Sequence, residues 1–201
     1  MGRPKQYERA ELLDRAVELF RRQGFNGTST AELVDGLGIN RKSMYAEFGS
    51  KQELFEATLD HYNRNHLSRV LAPIEAPDAG VDSIRQAFSD YASASEGWFN
   101  GRGCLMCNTA VERGALDPGT GQYVAAYLAR LTRAFHHALE NGQRVGDIDA
   151  NADIDELASF LTTSLIGIAA CIRAEAPAEQ VRAGSEIAIS ILGLHAAAPP
   201  H

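Results

Sequence analysis

Three cysteines in 201 residues are too few for a disulfide framework, and the default setting for such a chain is a reducing one. No uninterrupted apolar run reaches the ~18 residues of a membrane span, so no membrane partner is expected. Residues Met1 to Glu8 hold no apolar core of the kind an export signal carries. These absences make the cytoplasm the expected compartment. Lysine is scarce as well: Lys5, Lys42 and Lys51 all fall before residue 52. The chain also lacks a phosphate loop, a nucleophile elbow and an HExxH pair. Its His, Ser and Asp residues have no diagnostic spacing, so no enzyme and no cofactor are expected. There is no convincing strand pattern, internal repeat or low-complexity tract.

Positive charge is short overall, with a net of -7, which on its face argues against nucleic acid. The excess is not evenly spread. Residues 1–52 carry nine Lys and Arg against seven Asp and Glu; the remainder carries ten against nineteen. A phosphate-binding surface therefore belongs at the N-terminal end, and the acidic remainder would be repelled by a duplex, orienting the molecule.

Apolar residues, 45% of the chain, recur almost throughout at helical spacing. Leu12, Leu13, Ala16, Val17, Leu19 and Phe20 form one face of a first helix that Gly24 ends. Thr28, Ser29 or Thr30 can cap a second helix that stops near Gly36, and Gly38 suits a left-handed turn. Asn40 can cap a third, closing at Phe48 and Gly49. Ser50 can cap a fourth, with Glu53 three residues on as in a capping box, running to about Leu71. Pro73 and Pro77 punctuate the chain there. Helices are expected over about 81–96, 104–113, 120–140, 153–175 and 178–195, with Gly142–Asp153 a polar loop.

The second and third helices, joined by a glycine turn, read as a helix-turn-helix. Arg41, Lys42, Ser43 and Tyr45 occupy little more than one turn at the start of the third, and with the capping Asn40 they are candidate DNA contacts. Short or flexible polar groups there can reach base edges and phosphates in a major groove. Met44 and Phe48, at i and i+4, should form its buried side. Lys51 and Thr30, each near a helix start, can meet phosphate. Arg3 and Lys5, in the segment Gly2-Arg3-Pro4-Lys5, can lie in a narrow A·T-rich minor groove. Without further information the same composition fits a helical hairpin with a solvated polar face.

The order of residues narrows the choice. Ala16, Phe20, Gly24-Phe25, Thr28, Thr30, Leu33, Gly38-Ile39, Tyr45, Phe48, Lys51 and Leu54 resemble the N-terminal domain of the tetracycline-repressor (TetR) family of bacterial transcription regulators. The Tyr-x-x-Phe-x-x-Lys spacing at 45, 48 and 51 is the most specific part, and the resemblance covers about residues 7–55. It departs at Leu33-Val34 and Leu37, which should affect packing only. It departs also at Lys42, where the family often has glycine. There an added charge would lie at the groove. The resemblance implies an all-α fold with a three-helix DNA-binding head (residues 1–50, with an arm over 1–6) and a helical effector-binding and dimerisation body (51–201). It implies a repressor released from a palindromic double-stranded operator by a small-molecule effector.

In the body, Leu161, Leu165, Ile168 and Ile172 on one terminal helix and Ile187, Ile191 and Leu194 on the other are expected to form a dimer interface. Both helices are apolar nearly all round and so need partners on two sides. Phe88, Tyr91, Trp98, Met106, Tyr127 and Phe160 supply aromatic and soft surface for the effector pocket the family implies, though such a stretch also suits plain core. Cys104 and Cys107, spaced to share one side of a helical turn, raise the alternative of a thiol-redox sensor with weak or lost DNA binding; a single CxxC is a weak signal, and two small buried apolar residues are the more ordinary reading. The acidic run Asp147, Asp149, Asn151, Asp153 lacks the glycine and bidentate glutamate of a calcium loop, since Ala152 and Ala158 stand there. It is expected to cap the next helix, and no metal site is expected.

Overall fold

The computed structural model describes residues 7–97, 101–113 and 117–196, and within these the regular structure is helical. The helices are α1 (Arg9–Gly27), α2 (Thr30–Leu37), α3 (Arg41–Phe48), α4 (Lys51–Tyr62), α5 (Ser68–Glu75), α6 (Val81–Ser93), α7 (Leu105–Arg113), α8 (Pro118–Val145), α9 (Ile154–Arg173) and α10 (Ala178–Leu194). A π turn, Asn63–Leu67, joins α4 to α5, and a 3₁₀ turn, Ala94–Glu96, follows α6. The chain forms two compact units, one of residues up to Leu67 with Cys104–Val124, the other of Ser68–Gly103 with Ala125 onward.

The first unit is built on the apolar face of α1. Leu12, Ala16, Val17 and Phe20 are buried there against Leu54, Phe55, Leu59 and Tyr62 of α4. Phe20 meets Phe55 edge-on at 4.8 Å between centroids, and Phe25 adds a third ring 5.0 Å from Phe55. Gly24 does end the regular part of α1, with φ +73°, but one more helical turn follows it. The backbone N–H groups of Phe25 and Asn26, left free by that break, donate to the Glu112 carboxylate of α7 at 2.9 and 2.7 Å. A residue distant in sequence thus caps the kink, which no local pattern could announce.

The second unit packs α6 against α9 and α10 and buries Ile84, Phe88, Leu131, Phe135, Leu139 and Leu161. Ser185 of α10 donates to the Phe88 carbonyl at 3.0 Å, and Thr132 of α8 meets Thr162 of α9 at 3.1 Å. Asp153 caps α9 as expected, accepting from the Glu156 N–H at 3.0 Å.

Three expectations shift. The fourth helix breaks at the π turn, and Pro73, rather than interrupting the helical pattern, lies inside α5. α8 is longer than expected, running from Pro118, a residue suited to a first helical position, through Gly142 to Val145. And α9, although polar residues interrupt its apolar runs, contains an 18-residue window of mean hydropathy 1.4, long and apolar enough by length and composition to cross a bilayer. Here 39% of that window is buried in the protein's own core.

Candidate nucleic-acid interface

The turn between α2 and α3 is fixed from both sides. Ser29 and Glu32 form a reciprocal capping box at the start of α2: the Ser29 hydroxyl accepts from the Glu32 N–H and the Glu32 carboxylate accepts from the Ser29 N–H. At its end Gly38 adopts φ +69°, a conformation that costs an L residue about 1–2 kcal/mol. The freed carbonyl of Leu37 accepts from the Arg15 guanidinium of α1 at 2.8 Å. Arg15 therefore ties the turn to the first helix, a role the sequence pattern did not indicate.

Asn40 caps α3, its side-chain oxygen accepting from the Ser43 N–H at 2.9 Å. Asn40 is thus a cap before it is a contact, and Ser43 is half-buried above it. Met44 and Phe48 point inward as the spacing required, and Arg9 of α1 lies over the Phe48 ring at 4.8 Å. Burying Met44 and Phe48 turns the opposite side outward: Arg41, Lys42, Tyr45 and Ala46 are exposed. The Arg41 guanidinium lies 5.6 Å from the Tyr45 ring centre. Hydrogen bonds from Arg41 and Thr30 lower the Tyr45 hydroxyl below the usual tyrosine range. Thr30, Arg41 and Tyr45 thus form one connected polar surface at the positive end of a helix dipole, with Lys42 beside it. Ala46, four residues after Lys42 on that surface, was not singled out from the sequence; the i+4 spacing could have found it.

Lys51 stands half-buried in the first turn of α4. Its ammonium sits 4.2 Å above the Phe25 ring, which the Arg113 guanidinium covers at 4.0 Å. Burial lowers the Lys51 pKa, against the pull of Glu112. Its charge is placed on the aromatic cluster under the helix-turn-helix. Arg3 and Lys5 lie outside the described residues.

Comparison with known proteins agrees with this geometry. Residues 12–58 match the model of bacterial regulatory proteins of the tetR family, and residues 80–186 match the tetracyclin repressor-like C-terminal domain. The chain belongs to the TetR family of transcriptional regulators. It is 31% identical to the HTH-type transcriptional repressor ComR of Escherichia coli (strain K12), over 90% of this chain and 86% of that one. It is 29% identical to the HTH-type regulator YezE of Bacillus subtilis, over 96% of this chain and all of the other. Among solved structures, a cysteine mutant of the TetR-family regulator CifR in complex with 26-bp operator DNA superposes with a TM-score of 0.79. The two are 28% identical over 93% of this chain and 98% of that one.

In the second unit of this TetR-family regulator, the terminal helices divide their apolar residues differently from the expectation. Leu161, Leu165, Ile168 and Ile172 are buried in the chain's own core. The outward apolar residues are Phe160 of α9, 42% exposed, and Ile187 and Leu194 of α10, 73% and 82% exposed; Ile191 is half-buried. Phe160, Gly167, Cys171, Gly184 and Ile187 line an open groove between α9 and α10. Of the residues expected at the interface, Ile168 and Ile187 line that groove.

Of the residues expected to line an effector pocket, five fall among the described residues. Phe88 and Tyr127 are core residues of the second unit. Tyr91 lines a separate hollow between α5 and α6 with Arg69, Pro73 and Asp90. Met106 is buried in the first unit, Phe160 faces outward, and Trp98 lies outside the described residues. Cys104 and Cys107 are both free thiols, 0% and 5% exposed. Hydrogen bonding from Cys107, helped by the Tyr62 hydroxyl at 3.8 Å, lowers the Cys104 thiol to about 6 against the effect of burial. An acidic thiol with no solvent access cannot meet an oxidant without local opening, so the redox reading is not favoured.

Proposed function

We propose that this regulator is a homodimeric repressor that binds a palindromic double-stranded operator through α3 and leaves it when a small-molecule effector binds the second unit. The observation that carries this reading is the exposed Arg41–Lys42–Tyr45 surface on a helix whose other side is buried and whose start is capped by Asn40. Relatives named as repressors, and the operator complex of CifR, support it. Arg41 and Lys42 read base edges or phosphates in the major groove. Thr30 and Tyr45 hold the phosphate wall, and the arm carrying Arg3 and Lys5 follows the adjacent minor groove. The DNA-reading segment ends near residue 50, and the remainder carries the effector and the second copy. Phe160, Ile187 and Leu194 supply the apolar surface that a second copy covers. A dimer spaces two α3 helices ~34 Å apart or slightly more, one turn of duplex. The effector and DNA then oppose each other reciprocally: whatever factor the effector takes from DNA affinity, DNA takes from effector affinity. Such a protein works in the cytoplasm, where its operator is.

Selection from random duplexes, followed by gel shift at fixed salt, tests the reading. A palindrome should emerge, and Arg41→Ala should cost about 1–3 kcal/mol and relax preference at one position per half-site. Weak binding that is indifferent to sequence and unchanged by Arg41→Ala would overturn it.

A further inference from the structure

In an α-helix, residues five apart point about 140° away from each other, at 3.6 residues per turn. His61 and His66 are five apart, yet they converge. The cause is the π turn Asn63–Leu67, whose i→i+5 closure brings residue 66 back to the face of residue 61. Asp14, on α1, faces both. Its Oδ1 lies 2.7 Å from His61 Nε2 and 3.5 Å from His66 Nε2. One ligand atom from each of the three residues falls within 4.8 Å of the others.

The surroundings hold these rings in place. His66 stacks on Tyr62 at 5.2 Å and 19°, and the two imidazoles stand 6.2 Å apart at 64°. The Asn65 amide nitrogen donates to the His61 carbonyl at 3.0 Å and lies 3.0 Å from His61 Nδ1, which holds the turn and the ring together. On the other ring, His66 Nε2 is shut off from solvent, with the Asp14 carboxylate as its ion-pair partner at 3.5 Å. Asp14, with its side chain 58% exposed, keeps the cluster open to incoming ions.

We infer that Asp14, His61 and His66 form a binding site for a first-row transition-metal dication of the zinc type, created by the π turn and pinning α1 to the end of α4. Two imidazoles and one carboxylate select such an ion over calcium or magnesium, which prefer oxygen alone. Three protein ligands leave a fourth, tetrahedral position to water. Sequence inspection could not find the site: Asp14 is 47 residues from His61, and the i, i+5 spacing of the histidines matches no helical metal motif.

The test uses the full-length protein after chelator treatment. Zinc is titrated against a chromogenic chelator, and cobalt(II) is added in parallel as a spectroscopic probe. One zinc per chain should bind, and the ion should raise the melting temperature. Asp14→Asn and His66→Gln should each weaken binding by at least roughly tenfold. The exposed Asp14 makes the first of these safe for folding, and melting temperature in chelator verifies both. His136→Ala, in the second unit, should change nothing. Cobalt should show d–d bands without a thiolate charge-transfer band, and Cys104→Ser should leave them intact. A thiolate band, or full zinc affinity in the Asp14→Asn, His66→Gln double variant, would overturn the inference. So would the absence of binding at a large excess of zinc.

Discussion

Replacing Ile187 and Leu194 together by alanine separates folding from assembly in this protein. Both side chains are mostly exposed on the single chain, at 73% and 82%. Full burial of an Ile or Leu side chain contributes about 1.5–3 kcal/mol. Covering the exposed three quarters of each is therefore worth on the order of 1–2 kcal/mol per side chain. A two-fold interface uses each residue twice, so the double variant removes four such contributions. Alanine retains part of the area, leaving a loss of about 3 kcal/mol or more, which raises the dimer dissociation constant by roughly a hundredfold or more. The isolated chain should scarcely notice, since exposed substitutions away from special features fall within about ±0.5 kcal/mol. Leu161→Ala is the converse. Its side chain is fully buried, and a cavity there should cost about 2–5 kcal/mol of folding stability. Sedimentation over a dilution series, with thermal unfolding of the same samples, reads both quantities. If the double variant dimerises as tightly as the parent, the α9–α10 groove is not the interface and the reasoning fails.

Three other perturbations probe the head and its support. Gly38→Val should lose more than the about 1–2 kcal/mol of a simple left-handed penalty, because a branched side chain adds its own restriction to a φ of +69°; Gly38→Asn should be far milder, and equal melting temperatures for the two would refute the turn argument. Lys42→Gly should weaken operator binding and reduce the slope of log affinity against log salt by about one phosphate contact, whereas an unchanged slope would place Lys42 away from the backbone. Asp117 accepts from Thr120, Arg113, the Gly119 N–H and Gln52, the Thr120 bond counting most, and these hold its carboxyl down to about 2. Its stabilisation is therefore full above the ordinary carboxylate value of 3.8 and is lost as pH falls through about 2. Acid titration of Asp117→Asn, followed by circular dichroism, should show that part of the pH dependence removed; identical acid transitions in the two proteins would refute it.

How far the chain could be read in advance depended on the range of the interactions involved. Local rules located α2, its glycine turn and α3, because a capping box, a left-handed glycine and an Asn cap act within four residues. The same spacing that buries Met44 and Phe48 forces Arg41, Lys42 and Tyr45 outward, so the candidate DNA-reading face was legible as well. The uneven distribution of charge showed which end could approach a phosphate backbone. Periodicity failed where it carried no phase. On α9, apolar residues occur on nearly every face, and only packing against α6, α8 and α10 decides that Leu161 is inside and Phe160 outside.

What the sequence by itself determined is the helical character, the helix-turn-helix and its family, since these rest on short-range patterns and on residue order. Tertiary structure alone decided the rest. Glu112 reaches Phe25 across 87 positions, Arg15 reaches Leu37 across 22, and Lys51 lies over the Phe25 ring. The π turn rotates His66 onto the face of His61 opposite Asp14. Each depends on which surfaces the folded core brings within a few ångströms, and that is a property of the whole packing, not of neighbours along the chain.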